Sequence, residues 1–452
     1  MKKKKENPGY VGAVKFWAWQ SRGVSAAAQF IVMSGFIAIY CTSMLGMNAA
    51  IVGILLAASK VIDAVTDLFA GYLVDRTETK MGKGRPYELA IIGLWLCTWL
   101  VFSVPEGMGM TLKYIWVMVF YIAAQSVCST LLSANQNAYM IRAFNRNEQR
   151  VKLASFGGVV IMIGSMAVNI IFPMLQKQIA TNLQGWSKVV GMFAVVFGVL
   201  GILRFIFVKE ENRDEVEKTE KIHLSDVAKV LKHNKYVYMI SFMWLIYSLV
   251  TGMGAGTYFY TYIVGDISVM GTMSALSIVV LPLLFFFPAI MKKVPMGKLV
   301  IIGCIAYIVN GIMMFIAGAN LGIIAAAMIV AGIASLPITY LTDLLMIDCG
   351  TYNEYVNGQR MDGVIGAVKG FAGKVGSALG SAVLGILLSM GGFISTQSGQ
   401  VAEQPESALL MIRVAIGIVP AVLFLIVLIM MHFYTLDKKV AEIAKEKEQG
   451  KL

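Results

Sequence analysis

Charge is scarce in this chain: 14% of its 452 residues are Asp, Glu, Lys or Arg, against 58% hydrophobic. That leaves too little polar surface to cover a water-soluble globule of this size, so the bilayer is the solvent that fits. Period-two alternation is also missing, and the long continuous apolar runs in its place exclude a closed β-barrel. Of three histidines, His223, His233 and His432, none pairs with a cysteine or carboxylate at metal-ligand spacing. No Ser/His/Asp set suggests a hydrolase, and the phosphate-cradling GxxxxGK(S/T) loop is absent, so neither an enzyme nor an ATP-driven machine is expected. Cysteines number five, Cys41, Cys97, Cys128, Cys304 and Cys349, all in or at the ends of apolar runs. An odd set inside lipid reads as small buried hydrophobes rather than a disulfide framework.

What is present is a succession of apolar stretches. A spanning helix needs about 20 mostly apolar residues, and such stretches begin near residues 22, 49, 87, 112, 153, 187, 236, 271, 297, 320, 361 and 407. The N-terminal MKKKKENPGY runs into the first of them without a small-residue cleavage site, so no removable signal peptide is expected. The net charge of +12 is not a nucleic-acid footprint, because basic residues gather in alternate loops. Arg76, Lys80, Lys83 and Arg85 form one group, Arg142, Arg146, Arg150 and Lys152 another, and Lys292, Lys293 and Lys298 a third. This positive-inside pattern places both termini and the central loop in the cytoplasm of a multi-pass protein of the plasma membrane.

The one long hydrophilic stretch lies near the middle and divides the chain into two six-span halves. The expected organisation is an N-terminal six-helix bundle over 1–208, a cytoplasmic linker over 209–235, a C-terminal six-helix bundle over 236–434 and a cytoplasmic tail over 435–452. Leu224, Val227, Val230 and Leu231 share one side of a short linker helix, which reads as lying on the membrane surface. The fold class is therefore an all-α membrane protein of twelve transmembrane helices in two bundles, the major facilitator architecture, in which access to a central site alternates. Its partners are a small polar solute and membrane lipids.

Charges within the spans point to the chemistry. In the second span Asp63 and Asp67 stand at i, i+4 on one helical face. A central charge costs about 2.5–3.5 kcal/mol, and two like carboxylates this close favour either a shared proton or a bound cation. Thr66 adds a hydroxyl oxygen of the kind hard cations prefer. No metal beyond such a Na⁺, and no cofactor, is implied. The eleventh span carries Lys369 and Lys374 among glycines at three- and four-residue spacing, which let helices approach closely. Lys374 is the deeper; Lys369 reads as reaching towards the interface. The fourth span holds Gln125, Ser126, Ser129, Thr130, Ser133, Asn135, Gln136 and Asn137, which cannot all face lipid.

Three segments resemble the glycoside–pentoside–hexuronide:cation symporter family, the relatives of the melibiose permease. They are DAVTDLFAGYLVDRTETKMGKGRPYEL at 63–89, YFYTYIVGD at 258–266, and IDCGTYNEYVNGQRMDGVIGAVKGFAGKVGSALG at 347–380. The resemblance implies that Asp63 and Asp67 bind the coupling cation with Thr66 and Thr130, and that Lys374 lies near substrate and cation. It implies that Asp75, Arg76, Arg85, Asp348, Glu354 and Arg360 form a cytoplasmic gate. The chain departs from the family where sugar is gripped: an acidic or amide position of helix one falls on Ala27, with Ser25 and Gln29 nearby. A helix-four acid falls on Ser133, an aromatic just after it on Asn137, and a helix-five arginine near Ser155 or Phe156.

The expected function is secondary active transport: Na⁺- or H⁺-coupled symport of a sugar, glycoside or uronide by alternating access. Substrate contacts are expected from Lys374, Ser133, Asn137, Gln20 and Trp19. A cation-coupled carrier of an amphipathic solute such as a lysolipid, and a non-transporting membrane sensor or enzyme, are the competing readings.

Overall fold

The computed structural model describes residues 10–448 apart from 78, 80, 83, 145, 211–233, 292, 359–361 and 397–401. The amphipathic linker segment at Leu224–Leu231 and the gate residue Arg360 lie outside the described residues, as do the side chains of Asp67, Asp75, Arg76 and Asn137. Among the described residues the chain is helical, with one isolated bridge at Thr79 and Gly82. It resolves into two compact units: Met1–Thr219 with Ser395–Ala402, and Glu220–Ile394 with Glu403–Leu452.

The first unit contains α1 (Ala13–Ser43), α2 (Ala49–Arg76), α3 (Ala90–Val101, entered by the 3-10 turn Arg85–Leu89), α4, α5 (Asn147–Ile179) and α6 (Leu183–Phe207). Helix α4 runs through Met110–Ile122, a π-helical segment Ala123–Ser129 and Thr130–Ala143. Asn48 and Asn182 start their helices by accepting hydrogen bonds from otherwise orphaned backbone N–H groups. Helix α1 packs on α5 and α6, while α2 packs on α4. A cluster of Phe36, Tyr40, Phe102, Phe172 and Trp186 closes one end of the bundle.

The second unit contains α7 (Lys235–Met253, continued by Ala255–Tyr258 and the π-helical Phe259–Val264), α8 (Val269–Ala275, Leu276–Val280 and Leu281–Met291), α9 (Met296–Ala317) and α10 (Leu321–Asn357). It continues with α11 (Asp362–Met390), α12 (Glu406–Arg413, Val414–Ile418 and Val419–His432) and α13 (Leu436–Glu448). Helices α7 and α11 make the most intimate pair. A Cβ at Gly376 would sit 2.1 Å from the Leu245 carbonyl oxygen, and one at Gly380 would sit 2.2 Å from that of Leu249. Lipid tails are as apolar as leucine, so close packing of this kind, not burial from water, holds the helices together. The tail does not simply leave the bundle: α13 docks on α9 and α10, and Asp437 accepts a hydrogen bond from the Gly297 N–H at 2.8 Å.

Nine helices among the described residues are long and apolar enough to cross a membrane. The expected spans beginning near 49, 87 and 271 correspond to the helical α2, α3 and α8, of which α3 has twelve α-helical residues after its 3-10 turn. Large apolar side chains such as Phe30, Ile163, Val195 and Phe286 stand exposed on the outer faces, as they must where the surrounding solvent is hydrocarbon.

Candidate functional site

The second and fourth helices meet at Asp63. Its Oδ1 accepts a hydrogen bond from the Thr130 hydroxyl at 2.7 Å. Thr130 is the first residue after the π-helical segment of α4, and such bulges recur at functional sites because they turn side chains off the regular helical register. The same segment anchors to α2 through Ser126, whose hydroxyl donates to the Ser59 carbonyl at 3.3 Å. One turn past Asp63, the Thr66 hydroxyl donates to the Asp63 backbone carbonyl at 3.0 Å, so its proton is satisfied locally and its lone pairs remain for a further contact. Lys60, one turn before Asp63, and the buried Tyr121 of α4 both lie within electrostatic reach of its carboxylate. The backbone of α2 carries Asp67 one turn further along the same face. The Asp63 carboxylate thus holds the hydroxyl of Thr130, while that of Thr66 is bonded to the backbone carbonyl of the same Asp63.

The expected substrate residues separate into different environments. Lys374 is half-buried on α11 and engages other groups of its own chain. Ser133 stands exposed on α4. Trp19 is 2% exposed, wedged against Tyr139 and Phe144 and covered by the Arg204 guanidinium 3.8 Å from its ring centre. Gln20 is also buried, and its amide donates to the Leu153 carbonyl at 2.9 Å. Both side chains pack α1 against its neighbours in this structure. A helical wheel places a residue on a face but does not say which neighbour that face meets.

Of the expected gate residues, Arg85 turns into its own unit: its Nε donates to the Phe205 carbonyl at 2.9 Å and its guanidinium lies over the Phe205 ring. Its backbone N–H meets Glu210 at 2.7 Å. Asp348 and Glu354 stand near the C-terminal end of α10.

Two charged clusters went unread in the sequence. In the first unit Glu88 is fully buried, paired with Arg22 of α1 at 3.4 Å and Arg204 of α6 at 3.6 Å, and bonded by the Asn135 amide of α4 at 3.2 Å. Arg204 also donates to the Trp19 carbonyl and to Gln136. In the second unit Lys369 of α11 pairs with Asp343 of α10 and lies 4.6 Å from the centre of the Trp244 ring. Lys369 therefore has a counter-charge on the neighbouring α10. Arg22, Arg204 and Asp343 each interrupt an apolar run, and an ionisable residue within a span is the signal that would have found all three.

Comparison with known proteins agrees with this architecture. Solved structures of similar fold include a bacterial homolog of the human lysosomal transporter Spinster, with TM-score 0.66 and 14% identity over 97% of this chain and 98% of that one. A proton-dependent oligopeptide transporter matches with TM-score 0.62 and 10% identity, over 96% and 100%. Curated relatives include the isoprimeverose transporter of Lactiplantibacillus pentosus, 26% identical over 93% of this chain and 88% of its own length. The glucuronide carrier protein homolog of Escherichia coli (strain K12) is 24% identical over 92% and 91%. The uncharacterized symporter YnaJ of Bacillus subtilis (strain 168) is 26% identical over 96% and 94%. The family model described as MFS/sugar transport protein matches residues 22–438. With a multi-pass helical fold, two compact units and a family match across nearly its whole length, the chain is a transporter and not an enzyme, and it belongs to the MFS/sugar transport family, among the glycoside–pentoside–hexuronide:cation symporters.

Proposed function

We propose that this protein couples inward movement of Na⁺ or H⁺ to uptake of a sugar or glycoside across the plasma membrane, with both termini in the cytoplasm. The observation that carries the reading is the Thr130–Asp63 bond, which ties a hydroxyl of α4 to a carboxylate of α2 within the span. A carboxylate within a span is costly, and one that already holds a hydroxyl oxygen beside it is suited to a cation that neutralises it. Asp67, one turn along the same face of α2, completes the acidic pair. The relatives named for isoprimeverose and glucuronide support a sugar or glycoside over a lysolipid. Moving one positive charge inward gains about 2.3 kcal/mol per 100 mV, enough for roughly fortyfold accumulation.

The coupling step follows from charge. Without a cation, the acidic pair resists burial away from water; with one bound, the pair's charge is halved, the cost of closing α2 and α4 around it falls, and the loaded carrier reorients. Lys374, and the exposed polar face of α4 at Ser133, are the groups proposed to meet the solute, with the cytoplasmic charges Asp75, Arg76, Arg85, Asp348, Glu354 and Arg360 acting as a gate. The test is uptake into proteoliposomes under imposed Na⁺ and H⁺ gradients, separately. Asp63→Asn should abolish gradient-driven accumulation while leaving the protein monodisperse. Accumulation by that variant at the parental level would remove Asp63 from coupling.

A further inference from the structure

Resting on the sugar-transport reading, we infer that Asp343, held in place by Lys369, is a substrate-gripping carboxylate that selects neutral polyhydroxylated solutes over their acidic counterparts. Asp343 sits within the apolar α10, yet its side chain is 77% exposed, against 17% for Lys369. An exposed charge on an apolar helix cannot face hydrocarbon, where it would cost several kcal/mol, so the face of α10 that carries it borders water. The exposed residues on that side, Thr339, Tyr340, Asp343 and Ile347, recur at helical spacing and so share one stripe.

The pair is asymmetric in a way that assigns its roles. Lys369 is sheltered: its ammonium lies against the Trp244 ring, whose indole nitrogen is admitted by the missing side chain of Gly373, and Trp244 is in turn stacked on Tyr247. Trp244 is thus covered by Lys369 and stacked on Tyr247, and the ammonium charge is answered by Asp343 through Oδ1. What the pair presents outward is the remainder of the carboxylate. An ionised carboxylate is an acceptor only, and two of its lone pairs match the two donors of a vicinal diol. Lys369 keeps it ionised and oriented. A uronate would bring a second carboxylate against this one and would have to displace Asp343 from Lys369, an element that works against the wrong ligand.

The experiment uses matched probes differing only in charge, methyl β-glucoside against methyl β-glucuronide and methyl β-galactoside against methyl galacturonide, scored by binding and by proteoliposome uptake with the full chain. The neutral member of at least one pair should bind ten times or more tighter than its acidic partner. Asp343→Asn should weaken it at least tenfold, the scale of losing charge-assisted hydrogen bonds. Since that variant strands the sheltered Lys369, the double variant Asp343→Asn/Lys369→Gln, checked for monodispersity and unfolding temperature, is the deciding one. It removes both charges, so a purely structural pair would keep sugar affinity, whereas a gripping carboxylate would still lose it. Tighter binding of the uronides, or parental affinity in the folded double variant, overturns the inference alone; uptake of no sugar of either charge overturns the transport reading and this inference with it.

Discussion

Replacing Glu88 by alanine would leave two guanidinium groups facing each other in the interior of the first unit. Arg22 and Arg204 are almost wholly buried, and Glu88, with no exposed surface, is the anion that answers both, at 3.4 and 3.6 Å. Removing one partner from a buried ion pair costs about 3–5 kcal/mol, because the surviving charge has lost its water and its counter-ion together. Arg204 retains the Trp19 carbonyl, Gln136 and the face of the Trp19 ring, and Arg22 retains the Leu132 carbonyl at 2.6 Å, so the loss is electrostatic more than one of hydrogen-bond count. For a unit of about 200 residues each kcal/mol moves the unfolding temperature by roughly 2–4 °C, so Glu88→Ala should lower it by roughly 6–20 °C. The chain supplies its own reporter: five free thiols, of which Cys41, Cys304 and Cys349 are buried, become reactive to a thiol-specific fluorophore as the bundles open. Changing Cys304 and Cys349 to alanine confines the signal to the first unit. A triple variant, Arg22→Met/Glu88→Leu/Arg204→Met, removes every charge of the cluster and should lose less than the single change, since a well-packed apolar replacement leaves nothing stranded. An unfolding temperature within 2 °C of the parent for Glu88→Ala, or a triple variant no better than the single, would refute the reasoning.

Other outcomes follow from individual contacts. Thr130→Val keeps the volume but removes the hydroxyl bonded to Asp63, and should raise the cation concentration for half-maximal uptake by roughly tenfold, the value of one charge-assisted hydrogen bond; an unchanged cation dependence would remove Thr130 from the site. Gly376→Ala would drive a methyl group into the Leu245 carbonyl, where a Cβ lies at 2.1 Å, so the variant should unfold well below the parent or fail to accumulate in the membrane, as Western blotting of membranes would reveal. Because Trp19 is sealed under Arg204, Trp19→Phe should lower the unfolding temperature while leaving the KM for substrate within twofold; a tenfold rise in KM at normal stability would put Trp19 back at the substrate.

Much of the site was legible because lipid makes ionisable residues expensive. Asp63 and Asp67 stand out in any apolar helix, and their i, i+4 spacing needs only helical periodicity to put them on one face. Lys369 shows where that logic ends. A lysine near the end of a span reads as reaching for the interface, and only the packing of α10 beside α11 reveals Asp343 as its partner. Trp19 and Gln20 show the same limit: only the tertiary packing reveals that Arg204 covers the Trp19 ring and that the Gln20 amide bonds the Leu153 carbonyl.

The chain's membrane character, its multi-pass helical plan and the acidic face of its second helix were determined by composition and period alone, since hydrophobicity and 3.6-residue periodicity are local properties of a sequence. Which charges answer each other was decided only in three dimensions. Glu88 joins Arg22, 66 residues earlier in the chain, to Arg204 on α6. Asp343 meets Lys369 across two helices. Thr130 reaches Asp63 from the turn after a π-helical segment that no period announces. Pairing depends on crossing geometry and on where a helix departs from its register, and neither is written in the spacing of residues along one strand of sequence.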